Sequence, residues 1–199
     1  PSMGLADVKE CIGKTLARLE IPEHGRGAEF IRTPIADTNL SCGPELCDWL
    51  LDTRIGGFLN SSTREHMPED LHRYLFAACY LKVKKETPIL REFPESLRPD
   101  HKNVPKSLGH DNFSDRFRVQ RDTDPATTVM SHIAKDGHYF IHWDPAQCRS
   151  LTVREAARLQ TFPDNFLFCG NRTEQYTQVG NAVPPFLARQ IAAIVSDLI

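Results

Sequence analysis

The chain has 199 residues, 40% of them hydrophobic and 25% charged, with a formal net charge of -2. That is enough for one domain, or one domain and part of a second, and it excludes both a disordered polyelectrolyte and a uniformly polycationic nucleic-acid binder. Any nucleic-acid contact must therefore come from a local basic patch. No apolar run approaches the ~20 residues needed to cross a bilayer, and the first residues lack the charged and apolar regions of a signal peptide, so a cytoplasmic protein with no membrane partner is expected. The six cysteines, Cys11, Cys42, Cys47, Cys79, Cys148 and Cys169, are dispersed without a C-x-x-C pair, a usage that predicts reduced thiols. The four-residue gap between Cys42 and Cys47 is at the loose end of zinc-ligand spacing and no second pair follows, and no carboxylate or cysteine completes a site with His138 and His142. No metal is expected.

In chain order, Asp7 with Glu10 three residues on has the pattern of a capping box, and Val8, Ile12, Leu16 and Leu19 continue it as an amphipathic helix closed by Pro22. Residues 23–38 read as loop with room for one short strand at Phe30-Ile31. Leu46 to Leu51 reads as a helix through Leu46, Trp49 and Leu50 that ends before Gly56-Gly57. The strongest helix of the first half runs from Pro68 to Lys82: Pro68, Glu69 and Asp70 suit its start, and Leu71, Tyr74, Leu75, Ala78 and Cys79 form one stripe. Lys82, Lys84 and Lys85 complement its C-terminal dipole, a role favoured over DNA binding. Thr87-Pro88 opens a further short helix carrying Ile89, Leu90 and Phe93, and Pro94, Pro99 and Pro105 punctuate a loop to about Asn112.

From Asp115 the period changes to alternation. Phe117 and Val119 share one face while Arg116, Arg118 and Gln120 share the other, and Thr127 to Met130 and Tyr139 to Ile141 read as further strands with a turn at Asp136-Gly137. A small sheet with one basic edge or face is the result.

Near the C-terminus, Thr152 and Glu155 form a capping box for a helix that must stop near Phe162, because Pro163 disfavours helical geometry in the residue before it. Thr173 suits the cap of a second helix with Gly180 marking its end, and Pro184-Pro185 suit the first turn of a third. The last helix carries Leu187, Ile191, Ile194, Val195 and Leu198 at the spacing of a single stripe, which needs a partner.

Two of these stretches resemble known motifs. Thr152-Val153-Arg154-Glu155-Ala156-Ala157-Arg158-Leu159-Gln160 with Phe162-Pro163-Asp164 is similar to motif IX of the DNA (cytosine-5)-methyltransferases, and Gly180-Asn181-Ala182-Val183-Pro184-Pro185 is similar to their motif X. The match is strong over the last third and extends weakly upstream through Arg116 to Val119 and Pro125 to Val129.

That family adds a cysteine thiolate to C6 of a cytosine flipped from the duplex and methylates C5 from S-adenosylmethionine. None of the residues that would do so is present: no cysteine lies between proline and glutamine, and there is no Glu-Asn-Val, no Phe-x-Gly-x-Gly and no Gln-x-Arg-x-Arg. The resemblance therefore implies the C-terminal, target-recognition part of a methyltransferase of a restriction-modification system, inactive alone. S-adenosylmethionine would serve the full-length enzyme, with none bound here.

The fold implied is α+β: a linker helix over residues 1–25, a recognition domain of helices around a small twisted sheet over 26–150, and helices over 151–199 that belong to an absent Rossmann-like catalytic domain. Double-stranded DNA and the missing catalytic domain are the implied partners. Self-association, or folding back of the last helix, is the expectation for the stripe left alone.

In this family a Thr followed by an aliphatic residue marks the recognition loop, which Thr128-Val129 resembles. Thr128 is then a candidate for a phosphate or base contact, Ser131 and His132 for base reading, and Arg116, Arg118 and Arg121 for phosphates, although Asp115, Asp122 and Asp124 lie near enough to pair with those arginines. Asn181, with Ala182, is the candidate at the cofactor pocket. The plain alternatives are that Asn181 caps the helix opened by Pro184-Pro185, that the threonines are strand residues and His132 a loop residue, and that Arg154 and Glu155 act through caps and ion pairs. Two rival functions remain: a non-enzymatic DNA-binding module, and one subunit of a split methyltransferase.

Overall fold

A computed structural model describes residues 5–20, 26–33, 42–100 and 114–199; the expectations for Pro22, Pro105 and the loop to Asn112 lie outside them. The elements in order are α1 (Ala6–Leu16), β1 (Phe30–Arg32), α2 (Pro44–Leu50), β2 (Gly57–Leu59), α3 (Pro68–Lys84), α4 (Val153–Leu159), α5 (Arg172–Asn181) and α6 (Pro185–Ser196), with 3-10 turns between them. The content is mixed helix and small sheet, consistent with the α+β expectation. Two compact units form: one from Pro1–Glu23, Glu65–Thr127 and Gly137–Ser150, the other from His24–Arg64, Thr128–Asp136 and Leu151–Ile199. These units cut across the segments 1–25, 26–150 and 151–199 read from the sequence, because contacts group residues that are distant along the chain.

The first unit is built on α3. Its Tyr74, Phe76, Ala77 and Cys79 are buried, and Phe93 joins Phe76 at 4.8 Å and Phe117 at 5.5 Å between ring centroids. Such tilted pairs combine apolar burial with favourable ring electrostatics. Tyr74 reaches a polar partner inward, its hydroxyl lying 2.8 Å from Nδ1 of His138. At the end of α3, Lys85 takes a left-handed conformation (φ 64°), so the helix runs slightly past the expected Lys82.

Helix α1 buries Val8 but is shorter than expected: it ends at Leu16, and Leu19 lies beyond it. Asp7 is not its cap. It sits inside the first turn, where its charge complements the dipole, and the capping position is Leu5 with no side-chain bond.

The small sheet is not where alternation placed it. Antiparallel pairing joins β1 to β2, with Phe30 opposite Leu59 and Ile31 opposite Phe58. Gly57 faces Arg32 across this pair, and a Cβ there would lie 2.4 Å from the Ile31 carbonyl oxygen. Residues 116–120 and 139–141 instead meet through isolated bridges, Val119 with Ile141 and Ile141 with Ser150, and Thr127 to Met130 form no strand. A side chain does what a third strand would have done. Gln120 Nε2 donates to the Tyr139 carbonyl at 2.7 Å, and its Oε1 accepts from the Thr127 amide at 3.1 Å. The helix expected after Thr87-Pro88 is a single 3-10 turn, Leu90–Glu92, in which the Glu92 carboxylate accepts the Ile89 amide at 2.8 Å.

In the second unit the Thr152 and Glu155 capping box of α4 forms as expected, with the Thr152 amide 2.7 Å from the Glu155 carboxylate. Helix α5 is capped by Asn171 with Glu174, two residues before Thr173, and Gly180 lies within it, not past its end. The next helix, α6, opens at Pro184-Pro185 as expected.

Cys42 and Cys47 are joined in a disulfide with Cα atoms 5.9 Å apart, inside the bridging range, which corrects the expectation of reduced thiols for that pair. Cys11, Cys79, Cys148 and Cys169 are free. Among the described residues no group of three or more His, Cys, Asp or Glu could hold a metal ion, and no helix is long and apolar enough to cross a membrane.

The free thiols differ in environment. Burial, with Cys11 alongside, pushes the Cys79 thiol up to about 12, and the group is fully buried, whereas Cys169 is exposed. Since the thiolate is the reactive form, alkylation of the native chain at pH 8 should modify Cys169 first and leave Cys79 untouched until denaturant is added, as read by peptide mass spectrometry.

Candidate nucleic-acid interface

Three buried polar groups set the shape of the second unit. Arg154, 3% exposed, spends its guanidinium on carbonyls: Nε donates to Leu59 at 2.9 Å, Nη1 to Pro163 at 3.1 Å and Nη2 to Phe166 at 2.5 Å. Burial lowers its pKa to about 10, with Asp164 opposing that fall, so it stays charged at neutral pH. One turn on, Arg158 makes a bidentate pair with the fully buried carboxylate of Asp164 at 2.9 and 2.6 Å and lies over the Phe58 ring at 4.7 Å. Helix α4 thereby ties down the Phe162-Pro163-Asp164 turn. Arg154 and Glu155 act through a buried carbonyl clamp and a cap.

Asn60 is the third group. It is fully buried with φ 53°, a conformation asparagine tolerates better than most residues, and its side chain binds both the amide (3.0 Å) and the carbonyl (2.9 Å) of Phe168. Beside it Glu29 accepts from Arg172 at 2.6 Å and from Ser62 at 3.1 Å. Burial raises the Glu29 pKa, but Arg172, Ser62 and Asn60 together outweigh it and hold the carboxyl below its ordinary value.

Thr161, at φ 60°, joins three elements. Its carbonyl accepts the Trp49 indole N–H at 2.8 Å, and its hydroxyl accepts the Phe186 amide at 3.1 Å, in the first turn of α6. That hydroxyl supplies the cap bond expected from Asn181. Asn181 is instead the exposed last residue of α5, and Ala182, half-buried, gives its carbonyl to Gln160 Nε2 at 3.4 Å.

The candidates for DNA contact fall in two groups. Thr128, Ser131 and His132 lie in one segment of the second unit with exposed side chains, while Val129 and Ile133 turn inward at 6% and 1% exposure. Ser131 and His132 begin a 3-10 turn, Ser131–Ala134. Arg116, Arg118 and Arg121 belong to the first unit. Arg118 pairs with Asp115, Arg121 pairs with Asp124 at 2.9 Å, and Arg116 is half-buried. The structure thus brings the loop candidates together and gives two of the arginines local carboxylate partners. Sequence reasoning passed over Asn60, Thr161 and Asp164 as site-shaping residues. The asparagine lies in an unremarkable Leu-Asn-Ser-Ser stretch, and only its partners, 108 residues away, reveal it.

Residues 59–196 match the C-5 cytosine-specific DNA methylase family. The chain belongs to that family. Among its relatives, the type II methyltransferase M.Bpa9945I of Bacillus paralicheniformis is 48% identical over 143 residues, 72% of this chain and 30% of the relative. The type II methyltransferase M.AgeI of Thalassovita gelatinovora is 31% identical over 187 residues, 94% of this chain and 39% of the relative. The DNA (cytosine-5-)-methyltransferase M.ApeKI of Aeropyrum pernix is 43% identical over 75 residues, 38% of this chain and 16% of the relative. The chain therefore spans between 30% and 39% of the length of these first two relatives.

Replacing Arg154 by Met removes a charged donor from three carbonyls, of which that of Pro163 keeps the Phe166 amide at 3.0 Å. Hydrogen bonds from a charged group contribute about 1.5–3 kcal/mol each, so R154M should destabilise the second unit by at least about 3 kcal/mol. Denaturant unfolding followed by Trp49 fluorescence measures it.

Proposed function

We propose that this chain is the DNA-recognising, C-terminal portion of a DNA (cytosine-5)-methyltransferase, which works with a catalytic portion that carries the nucleophilic cysteine and the S-adenosylmethionine site. The observation that carries the reading is the last helix. Leu187, Ile191, Ile194 and Val195 of α6, with Leu198 just beyond it, are between 47% and 82% exposed, an apolar stripe far from the condition of a finished surface. Among the described residues, folding back does not cover it.

The occupant in this reading is the catalytic portion, against which α6 packs, a reading that membership in the C-5 cytosine-specific methylases supports. S-adenosylmethionine would bring the methyl group. Asn181 and Ala182 fit one edge of its pocket: an exposed amide and a half-buried backbone unit cannot enclose a nucleoside, so the rest of that pocket belongs to the catalytic portion. The residues of this chain do the positioning. Thr128, Ser131 and His132 meet base edges or phosphates of duplex DNA, and Arg116, Arg118 and Arg121 contribute charge near phosphates. In this reading the protein acts in restriction-modification in the cytoplasm and is inactive alone.

The test is methyl transfer from labelled S-adenosylmethionine to mixed-sequence duplex DNA. Activity is expected only when the chain is combined with a catalytic portion, whether joined in one polypeptide or supplied as a second subunit, and serine at Leu187 and Ile191 should abolish it by removing the docking face. Methylation by the chain alone would overturn the reading. DNA binding without activity in any combination would favour a non-enzymatic module.

A further inference from the structure

We propose that Arg64 and Gln160 are positioning residues for DNA recognition, which hold the 128–136 segment by its backbone carbonyls and so fix the outward presentation of Thr128, Ser131 and His132. This rests on the reading of that segment as a DNA-contacting loop.

The loop is gripped from both ends. At its start, Gln160 Nε2 lies 3.3 Å from the Val129 carbonyl and 3.2 Å from that of Val179, both buried contacts. At its far end, the Arg64 guanidinium donates through Nη1 to the Lys135 carbonyl at 2.7 Å and through Nη2 to the Ile133 carbonyl. Two carbonyls two residues apart demand two diverging N–H groups on a rigid plane, which arginine has and lysine lacks. The same guanidinium lies 4.3 Å from the centre of the Tyr176 ring, a cation–π contact, and Tyr176 is itself fixed by its hydroxyl on the Leu151 carbonyl at 2.6 Å.

Beneath the loop, Gly180 removes the obstacle to close approach: a Cβ there would lie 2.7 Å from the Met130 carbonyl oxygen and 2.8 Å from the Ser131 Cα. The side chains that point inward are the apolar Val129 and Ile133, and those that point outward are the polar Thr128, Ser131, His132 and Lys135 together with Met130. A phosphate-binding role does not suit Arg64. Both of its terminal nitrogens are committed to carbonyls, and Nε is buried with no hydrogen-bond partner among the described residues. The Arg64 charge is thus spent on shaping the loop.

The experiment compares the chain with its R64M, R64K, Q160L and G180A variants by two readouts. The first is hydrogen exchange at the Ile133 and Lys135 amides, which bond to Met130 and His132 at 3.0 Å, with the α3 amides as an internal reference. The second is the preference for selected over random duplex DNA, measured across salt concentrations.

Exchange in the loop should rise about tenfold or more in R64M and G180A, with R64K close to R64M, while α3 is unchanged. DNA preference should fall about tenfold with the salt slope kept, because loop geometry, not charge count, is lost. Unchanged loop exchange in R64M, with a salt slope reduced by about one charge and rescue by R64K, would make Arg64 a phosphate contact and overturn the proposal. A loosened loop with intact DNA preference would uphold the tether and overturn instead the reading of the loop as a DNA contact. Should R64M fail to fold, Q160L removes the tether at the other end without touching a charge: raised exchange in the loop with the salt slope kept upholds the proposal, and unchanged exchange overturns it.

Discussion

The second unit depends on one unusual commitment, a charged guanidinium almost wholly removed from water. Burying a cation is costly unless its donors are used. Arg154 uses its donors on the carbonyls of Leu59, Pro163 and Phe166, which come from the end of β2 and from the turn after α4. Leu59 stands at the edge of the β1–β2 pair, and Pro163 and Phe166 lie in the turn after α4, where the Phe166 amide also bonds to the Pro163 carbonyl at 3.0 Å. The arrangement is therefore mutual: the arginine is tolerated because the loops curl around it, and the loops curl because the arginine satisfies them. Arg158 with Asp164 repeats the device one turn later, and Asn60 extends it to Phe168.

This explains how a region with little regular structure holds a defined surface. Among its described residues the second unit has two three-residue strands and short helices, too little ladder to fix its loops by backbone pairing alone. Side chains that reach main-chain groups replace the missing ladder, and Gln160, Arg64, Asn60, Arg154 and Thr161 all bond to backbone distant in sequence. Most of the shape is thus specified by polar side chains aimed inward. A surface made this way can present short polar groups such as Ser131 and His132 without strands beneath them.

The last helix is the opposite case. Nothing in its sequence is frustrated locally: prolines open it, its apolar residues repeat at helical spacing, and it forms as the sequence implies. Yet its stripe remains exposed along its length. Local propensity and amphipathicity make the helix; burial of its face depends on what lies opposite, and the proposal of a catalytic portion as that partner gives the stripe its reason.

How much was legible follows from the range of each interaction. Elements governed by neighbours a few residues apart were readable from the sequence: the Thr152 and Glu155 capping box, the proline start of α3 and its buried face, the start of α6, and the family to which the chain belongs, carried by contiguous motifs. Elements governed by distant partners were not. Alternation between Arg116 and Gln120 suggested a strand, but a strand needs a neighbour along its full length, and the Gln120 side chain took that place. The cap on α6 came from Thr161, 25 residues before Phe186, and not from the nearer Asn181. Asn60 and Arg64 carried no local signal at all, and Asp164 was legible only as part of a motif, not as the buried partner of Arg158. By itself the sequence determined the helices and the family, because periodicity and capping act within a turn or two. Only the tertiary structure decided which polar residues are buried and which loop they hold, because a hydrogen bond across 69 residues, as from Arg64 to Ile133, or 108, as between Asn60 and Phe168, depends on where the whole chain has brought its two ends.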